Sequence, residues 1–198
     1  MYRHLLIFLI LILLFASCDN TSRGRKHGNN SPVQSEQFAP KKQKKESLQF
    51  KKGEEYSVKV VGIVDGDTFT GLTADNQQIK CRIYGIDAPE KGQAFGNRSK
   101  QTLSDLIFGK QVKIKIQGRH YERAIVRVFT AEGKDVSAEM LKAGMAWHYK
   151  QYDKSKNYAQ LENQARNERI GLWADKNPME PWLFRKQNQQ YKNEKEIE

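Results

Sequence analysis

Between residues 56 and 129, apolar residues fall on every second position in five short runs, and this alternation most narrows the folds open to the chain. A period of two sends successive side chains to opposite faces of a strand, so each run can bury one face and wet the other. Tyr56, Val58 and Val60 make the first run, and Asp65-Gly66, a tight-turn pair, leads into Thr68-Phe69-Thr70. Ile79, Cys81 and Ile83 oppose Lys80, Arg82 and Tyr84; Val112, Ile114 and Ile116 oppose Lys113, Lys115 and Gln117; the fifth run is Ala124 to Phe129. Helical spacing interrupts the strands. Residues 97–108 place Leu103, Leu106 and Ile107 on one side before Gly109, and Asp135 can cap a short helix that ends at Gly144. A longer helix, roughly 155–170, aligns Tyr158, Leu161 and Ala165. Three strands, a helix, two strands and two more helices predict an α+β fold, a five-stranded β-barrel with about three packed helices.

The N-terminal segment is of another kind. Arg3 and His4 precede an unbroken apolar run, Leu5 to Phe15, too short to span a bilayer but suited to a signal-peptide core. Residues 1–17 are expected to be a signal peptide. Ala16-Ser17-Cys18 resembles the bacterial lipoprotein signal, in which the cysteine is lipidated and becomes the new N-terminus. The expectation is an exported, membrane-anchored protein held by a lipid on Cys18; an ordinary cleaved signal, giving a secreted protein, is the alternative. With Cys18 lipidated, Cys81 has no partner and reads as a buried strand thiol. Residues 18–52 are rich in Asn, Ser, Gln, Lys and Gly, too poor in large apolar residues to offset their ordering entropy, and read as a disordered basic tether. Charge divides accordingly. Of the net +11, residues 1–52 hold +7 and the remainder only +4. The globular part is assigned to 53–183, and 184–198 to a flexible polar tail. Two Cys and four scattered His exclude a disulfide framework and a zinc finger.

Four short segments carry chemistry: Asp65-Gly66-Asp67-Thr68 at a turn, Arg82 on a strand, Asp87-Ala88-Pro89-Glu90 after it, and Tyr121-Glu122-Arg123 entering another strand. Asp67, Asp87 and Glu90 are three hard oxygen donors at strand ends. Held at 4 Å they would repel by about 4 kcal/mol per pair at an effective dielectric near 20, a penalty that a divalent cation removes. Oxygen donors without His or Cys favour Ca²⁺ or Mg²⁺ over zinc. Two arginines beside such an ion suggest a phosphate, which guanidinium groups bind bidentately. Arg82 leaves the barrel interior, on the face opposite Cys81, and Arg123 can reach over a rim. Pro89 holds Ala88 extended, so that Asp87 can face the metal while Glu90 holds a water as general base. Glu90 as a cap of the following helix is the competing structural role. Trp147, Tyr149 and Tyr152 read as packing aromatics, and His120 and His148 as ordinary histidines.

Together Val64-Asp65-Gly66-Asp67-Thr68, Cys81-Arg82-Ile83-Tyr84-Gly85-Ile86-Asp87-Ala88-Pro89-Glu90 and Tyr121-Glu122-Arg123 resemble the motifs of the staphylococcal nuclease (thermonuclease) family over about 56–173. Gly144-Met145-Ala146-Trp147, Gly171-Leu172-Trp173-Ala174 and Pro181-Trp182 extend the likeness. The resemblance implies an OB-fold barrel and a Ca²⁺-dependent phosphodiesterase acting on DNA or RNA, Mg²⁺ being the second choice, with 3′-phosphorylated products. It implies metal ligation by Asp67, Asp87 and the backbone carbonyl of Ala88, a general base or water-positioning role for Glu90, phosphate binding by Arg82 and Arg123, and a place for Tyr121 near the nucleotide's phosphate. Ala88 stands where the prototype has Thr, and Glu122 where it has Gly. A monomeric enzyme is expected. A non-catalytic nucleic-acid-binding OB module is the rival reading, and a hydrolase of small nucleotides shares the same residues.

Overall fold

Five strands close on themselves to form a barrel. In the computed structural model, which describes residues 50–195, β1 (Glu55–Ile63), β2 (Thr68–Leu72), β3 (Gln78–Ile83), β5 (Gln111–His120) and β6 (Arg123–Phe129) hydrogen-bond in the order β1-β2-β3-β6-β5, and β5 returns to β1. Only β3 and β6 run parallel. Register shifts at Val60/Gly62 and Ile116/Gly118 mark bulges in β1 and β5, which add the bend that closure requires. The alternation seen in the sequence faces inward as expected. Val58, Val60, Ile79, Cys81, Ile83, Val112, Ile114 and Ile116 are each at most 2% exposed, so the barrel is filled by side chains rather than open. The anticipated signal peptide, Cys18 and all but the last three residues of the tether lie outside the described residues.

A two-stranded sheet, β4 (Ile86–Asp87) with β7 (Trp147–His148), ties the barrel to its helices by pairing Asp87 with Trp147. Helix α1 (Gly96–Ile107) buries Leu103 and Ile107 in the main core. Helix α2 (Val136–Lys142) is capped as the sequence suggests: Asp135 accepts hydrogen bonds from the Ser137 and Ala138 N–H groups. Helix α3 (Lys156–Asn167) starts at a Ser155 cap and turns Tyr158 and Ala165 inward. A 3₁₀ turn, Gly171–Ala174, carries Leu172 and Trp173 into a second core with Trp147 and Ala165. The Arg166 guanidinium lies over both indoles of that core, 4.5 Å from Trp147 and 3.8 Å from Trp173.

The C-terminal stretch departs from expectation. Residues 184–195, anticipated as a flexible polar tail, belong to a fourth helix, α4 (Pro181–Lys195). Its anchorage is tertiary. Pro181 opens the helix, where its missing N–H goes unneeded, and Trp182 stacks on Tyr149 (5.6 Å, 5°) and meets Trp147 edge-on at 5.7 Å. Gln93 fastens the entry, its side-chain N–H donating to the Met179 carbonyl (2.8 Å) while its Oε1 accepts from the Glu90 N–H (3.0 Å).

The β1–β2 turn is pressed against α1. A Cβ at Gly66 would fall 1.9 Å from Ser99 Oγ and 2.7 Å from the Ala88 Cβ, so no side chain fits there. The residue after Gly66 is Asp67, whose carbonyl accepts the Ile83 N–H at 2.8 Å. Gly66→Ala is expected to cost about 1–3 kcal/mol of stability through overpacking, measurable as a lowered denaturation midpoint.

Candidate active site

Three elements bring the acidic and basic candidates together at one end of the barrel. Asp67 closes the β1–β2 turn, where its N–H is held by the Asp65 carboxylate at 3.0 Å, a side-chain turn of the Asx type. Arg82 faces Thr68 across the β2–β3 ladder. Asp87 ends β4 and is completely buried.

Arg82 is the joint between the two aspartates. Its Nη1 donates to Asp67 Oδ1 at 3.0 Å and its Nη2 to Asp87 Oδ1 at 2.7 Å. The other Asp67 oxygen accepts the Ala88 N–H at 3.0 Å, and Thr68 Oγ1 donates to Oδ1 at 2.9 Å. Even so, burial raises the Asp67 pKa to about 7: the Arg82 charge and the Ala88 N–H pull it down, while Asp65 and Asp87 push it further up. At Arg82 burial works against the charged form, but Asp67 and Asp87 outweigh it and raise its pKa overall.

The three carboxylates do not meet at a single point, as the sequence suggested they would. Among the described residues no three His, Cys, Asp or Glu side chains form a metal-type cluster. Guanidiniums lie between the acids instead. Arg82 separates Asp67 from Asp87, and Arg185 of α4 separates Asp87 from Glu90: Nη2 donates to Asp87 Oδ2 at 2.7 Å, and Nη1 to Asp87 Oδ1 at 3.1 Å and Glu90 Oε1 at 2.5 Å. Hydrogen bonding to Asp87 is the main cause of an Arg185 pKa raised above the ordinary value. Glu90 does not cap α1, whose first residue follows Phe95 with no side-chain cap.

A groove of about 630 Å³ runs past this cluster. Arg82, Arg119, His120, Arg123 and Arg185 line it, with Tyr149 and Tyr152, and Glu90 is the one acid on its wall. Among the described residues Arg123 makes no ion pair, so its charge is free to meet an anion. Tyr121 is not brought to the groove. It sits 84% exposed on the β5–β6 turn at φ 52°, its carbonyl accepting from Arg119 Nε (2.7 Å) and its ring edge-on to His120. Glu122 is exposed on the same turn and takes no part in the groove wall.

Sequence reasoning missed Arg185, Arg119 and the groove faces of Tyr149 and Tyr152. The aromatic cluster divides: Trp147 is buried at 5% exposure, whereas Tyr152 is 60% exposed. His148 is structural, its Nε2 lying 3.0 Å from Asp153 in the interior.

Residues 80–175 match the family model described as "Staphylococcal nuclease homologue"; Arg185 lies past that span. A protein of Haemophilus influenzae named "Uncharacterized endonuclease" is 47% identical over 135 residues, which cover 68% of this chain and 75% of the relative. A Shigella flexneri protein named "Micrococcal nuclease" is 40% identical over 139 residues, 64% of this chain and 79% of its own length. An Escherichia coli protein named "Uncharacterized endonuclease" is 36% identical over 128 residues, 64% and 83% respectively.

The Asp67 shift has a sign that can be measured. A carboxyl whose folded pKa stands at about 7, above its ordinary 3.8, binds its proton more tightly in the native state. Stability of the metal-free protein is therefore expected to be greatest below the ordinary value and to fall as pH rises through about 7. Asp67→Asn should flatten that slope in thermal unfolding recorded in chelator across this range.

Proposed function

Because the chain belongs to the staphylococcal nuclease family, we propose that it is an exported, Ca²⁺-dependent nuclease that hydrolyses phosphodiester bonds of DNA or RNA and leaves 3′-phosphorylated products. Nuclease chemistry is the family's activity, and the relatives bear nuclease names. The observation that carries the finer reading is Arg82: one guanidinium hydrogen-bonded to two buried carboxylates, beside a groove that Arg119, Arg123 and Arg185 also line.

The donor set fits a hard dication. Every candidate ligand is a carboxylate or a backbone carbonyl, with no imidazole or thiolate among them. The acids are also unbalanced enough to gather a second guanidinium, Arg185, onto Asp87 and Glu90. Asp67, Asp87 and the Ala88 carbonyl would hold the ion. When bound, it would offset the carboxylate charges and supply Lewis-acid stabilisation of a phosphate oxygen.

The chain's own residues account for the rest. Arg82 and Arg123 bind the scissile phosphate, and because Arg82 is locked by two buried acids its donors are oriented before substrate arrives, which costs no reorganisation during attack. Glu90, on a loop that Pro89 stiffens and Gln93 fastens, takes the proton of the attacking water. Tyr152, exposed on the groove, offers a ring on which a base can stack, which favours unpaired nucleic acid. The mature protein is read as monomeric and held at a membrane by a lipid on Cys18; the apolar run Leu5 to Phe15 followed by Ala16-Ser17-Cys18 supports this.

Hydrolysis of heat-denatured DNA is expected to stop in EDTA and return with Ca²⁺. Arg82→Ala should lower kcat on the order of 10²–10³-fold. Glu90→Gln should lower kcat at least as strongly as removal of a typical general base, about 10²–10⁴-fold, with DNA affinity changed far less. Binding without cleavage in every divalent ion would leave the non-catalytic binding module instead.

A further inference from the structure

Two groove arginines hydrogen-bond the carboxylates of the site: Arg82 bridges Asp67 and Asp87, and Arg185 bridges Asp87 and Glu90. The two terminal nitrogens of Arg185 take both oxygens of Asp87 and one of Glu90. Three features make this a built contact rather than a chance approach of a long side chain. Asp87 is fully buried, so the guanidinium reaches into the protein to meet it. The first turn of α4 is fixed from both sides, by Trp182 against Tyr149 and Trp147 and by the Gln93 bond to Met179. Arg185 follows Trp182 by three residues and so emerges on the same side of the helix. Gln93 also holds the Glu90 N–H, so one side chain sets the spacing between Glu90 and the base of α4.

Charge counting gives the contact a role. When all three are ionised, Asp67, Asp87 and Glu90 carry three negative charges, and Arg82 and Arg185 return two positive ones. The cluster is therefore nearly balanced with no ion present. A dication entering it meets the Arg185 charge at the very oxygens it would ligate, and the two cannot both keep Asp87. The guanidinium has somewhere to go, because its side chain is 35% exposed toward a groove it shares with Arg82 and Arg123. There a phosphodiester supplies the paired oxygens that a guanidinium fork matches.

We infer that Arg185 is a third phosphate-binding arginine of this site, a substrate-positioning residue that rests on Asp87 and Glu90, yields them to the divalent ion, and then engages the nucleic acid. The inference rests on the metal-dependent nuclease reading above. It makes metal and substrate binding cooperative through one side chain: the ion releases the arginine, and the phosphate gives the released charge a partner.

The test uses the full-length protein with Arg185→Gln and Arg185→Lys beside the wild type. Calorimetric Ca²⁺ titration without nucleic acid is expected to show about tenfold tighter binding in Arg185→Gln, the scale of one lost charge-assisted competitor. At saturating Ca²⁺ the same variant should raise KM for single-stranded DNA by about tenfold, with kcat within about threefold, and Arg185→Lys should fall between the two. Unchanged or weaker Ca²⁺ binding in Arg185→Gln, or an unchanged KM, overturns the inference while leaving the nuclease reading intact. A wild type that neither takes up Ca²⁺ nor cuts DNA removes the nuclease reading, and the role of Arg185 with it; this failure shows in the wild-type measurements alone.

Discussion

A single guanidinium, that of Arg82, makes the interior end of this barrel tenable. Two carboxylates buried to within 2% of complete enclosure would repel each other and lose their hydration, and each such charge costs several kcal/mol unless it is paired and hydrogen-bonded. Arg82 meets both at once, and the backbone N–H of Ala88 and the hydroxyl of Thr68 take further lone pairs. The barrel supplies the geometry: β2–β3 register sets Arg82 opposite Thr68, and the β4–β7 pair brings Asp87 within its reach. The arrangement is organised for electrostatics more than for stability, as the raised pKa of Asp67 indicates. Burial disfavours the Asp67 carboxylate, and the Arg82 charge beside it opposes that effect.

Around that joint the polar groups are graded by depth. Asp87 and Asp67 lie inside, Arg82, Glu90 and Arg123 are partly covered, and Tyr152 stands at the groove surface. Deep charges are held by several bonds each and can move little. Those at the rim have few partners and can adjust to a ligand. This gradient lets one site combine fixed donors with a contact surface tolerant of different bases.

How much of this was legible before the fold was known differs from element to element. The barrel strands were, because their alternation reflects a local rule, one face buried and one wet, and Val112, Ile114 and Ile116 obey it without exception. Asp67, Arg82 and Asp87 could also be grouped, since they lie within one short stretch of strand and turn. Arg185 could not. Its partners are Asp87 and Glu90, the former 98 residues away, and α4 has no apolar stripe to announce a helix, with Pro181 as its only buried residue. The polar run Gln187-Asn188-Gln189-Gln190 reads as solvated chain, and the aromatic contact that anchors its helix, at Trp182, lies outside the run. The aromatics failed differently: Trp147 and Tyr149 are two residues apart, and composition cannot tell that one faces a core and the other a groove.

The distance along the chain between Asp87 and Arg185 also has a temporal side. A polypeptide is made and threaded from its N-terminus, so β1 to β6 can close while α4 is still missing. Until α4 arrives and docks beside β7, the outer oxygen of Asp87 has only water or a passing cation to answer it. The acidic end of the barrel thus receives one of its counter-charges from a helix that is synthesised after the barrel strands.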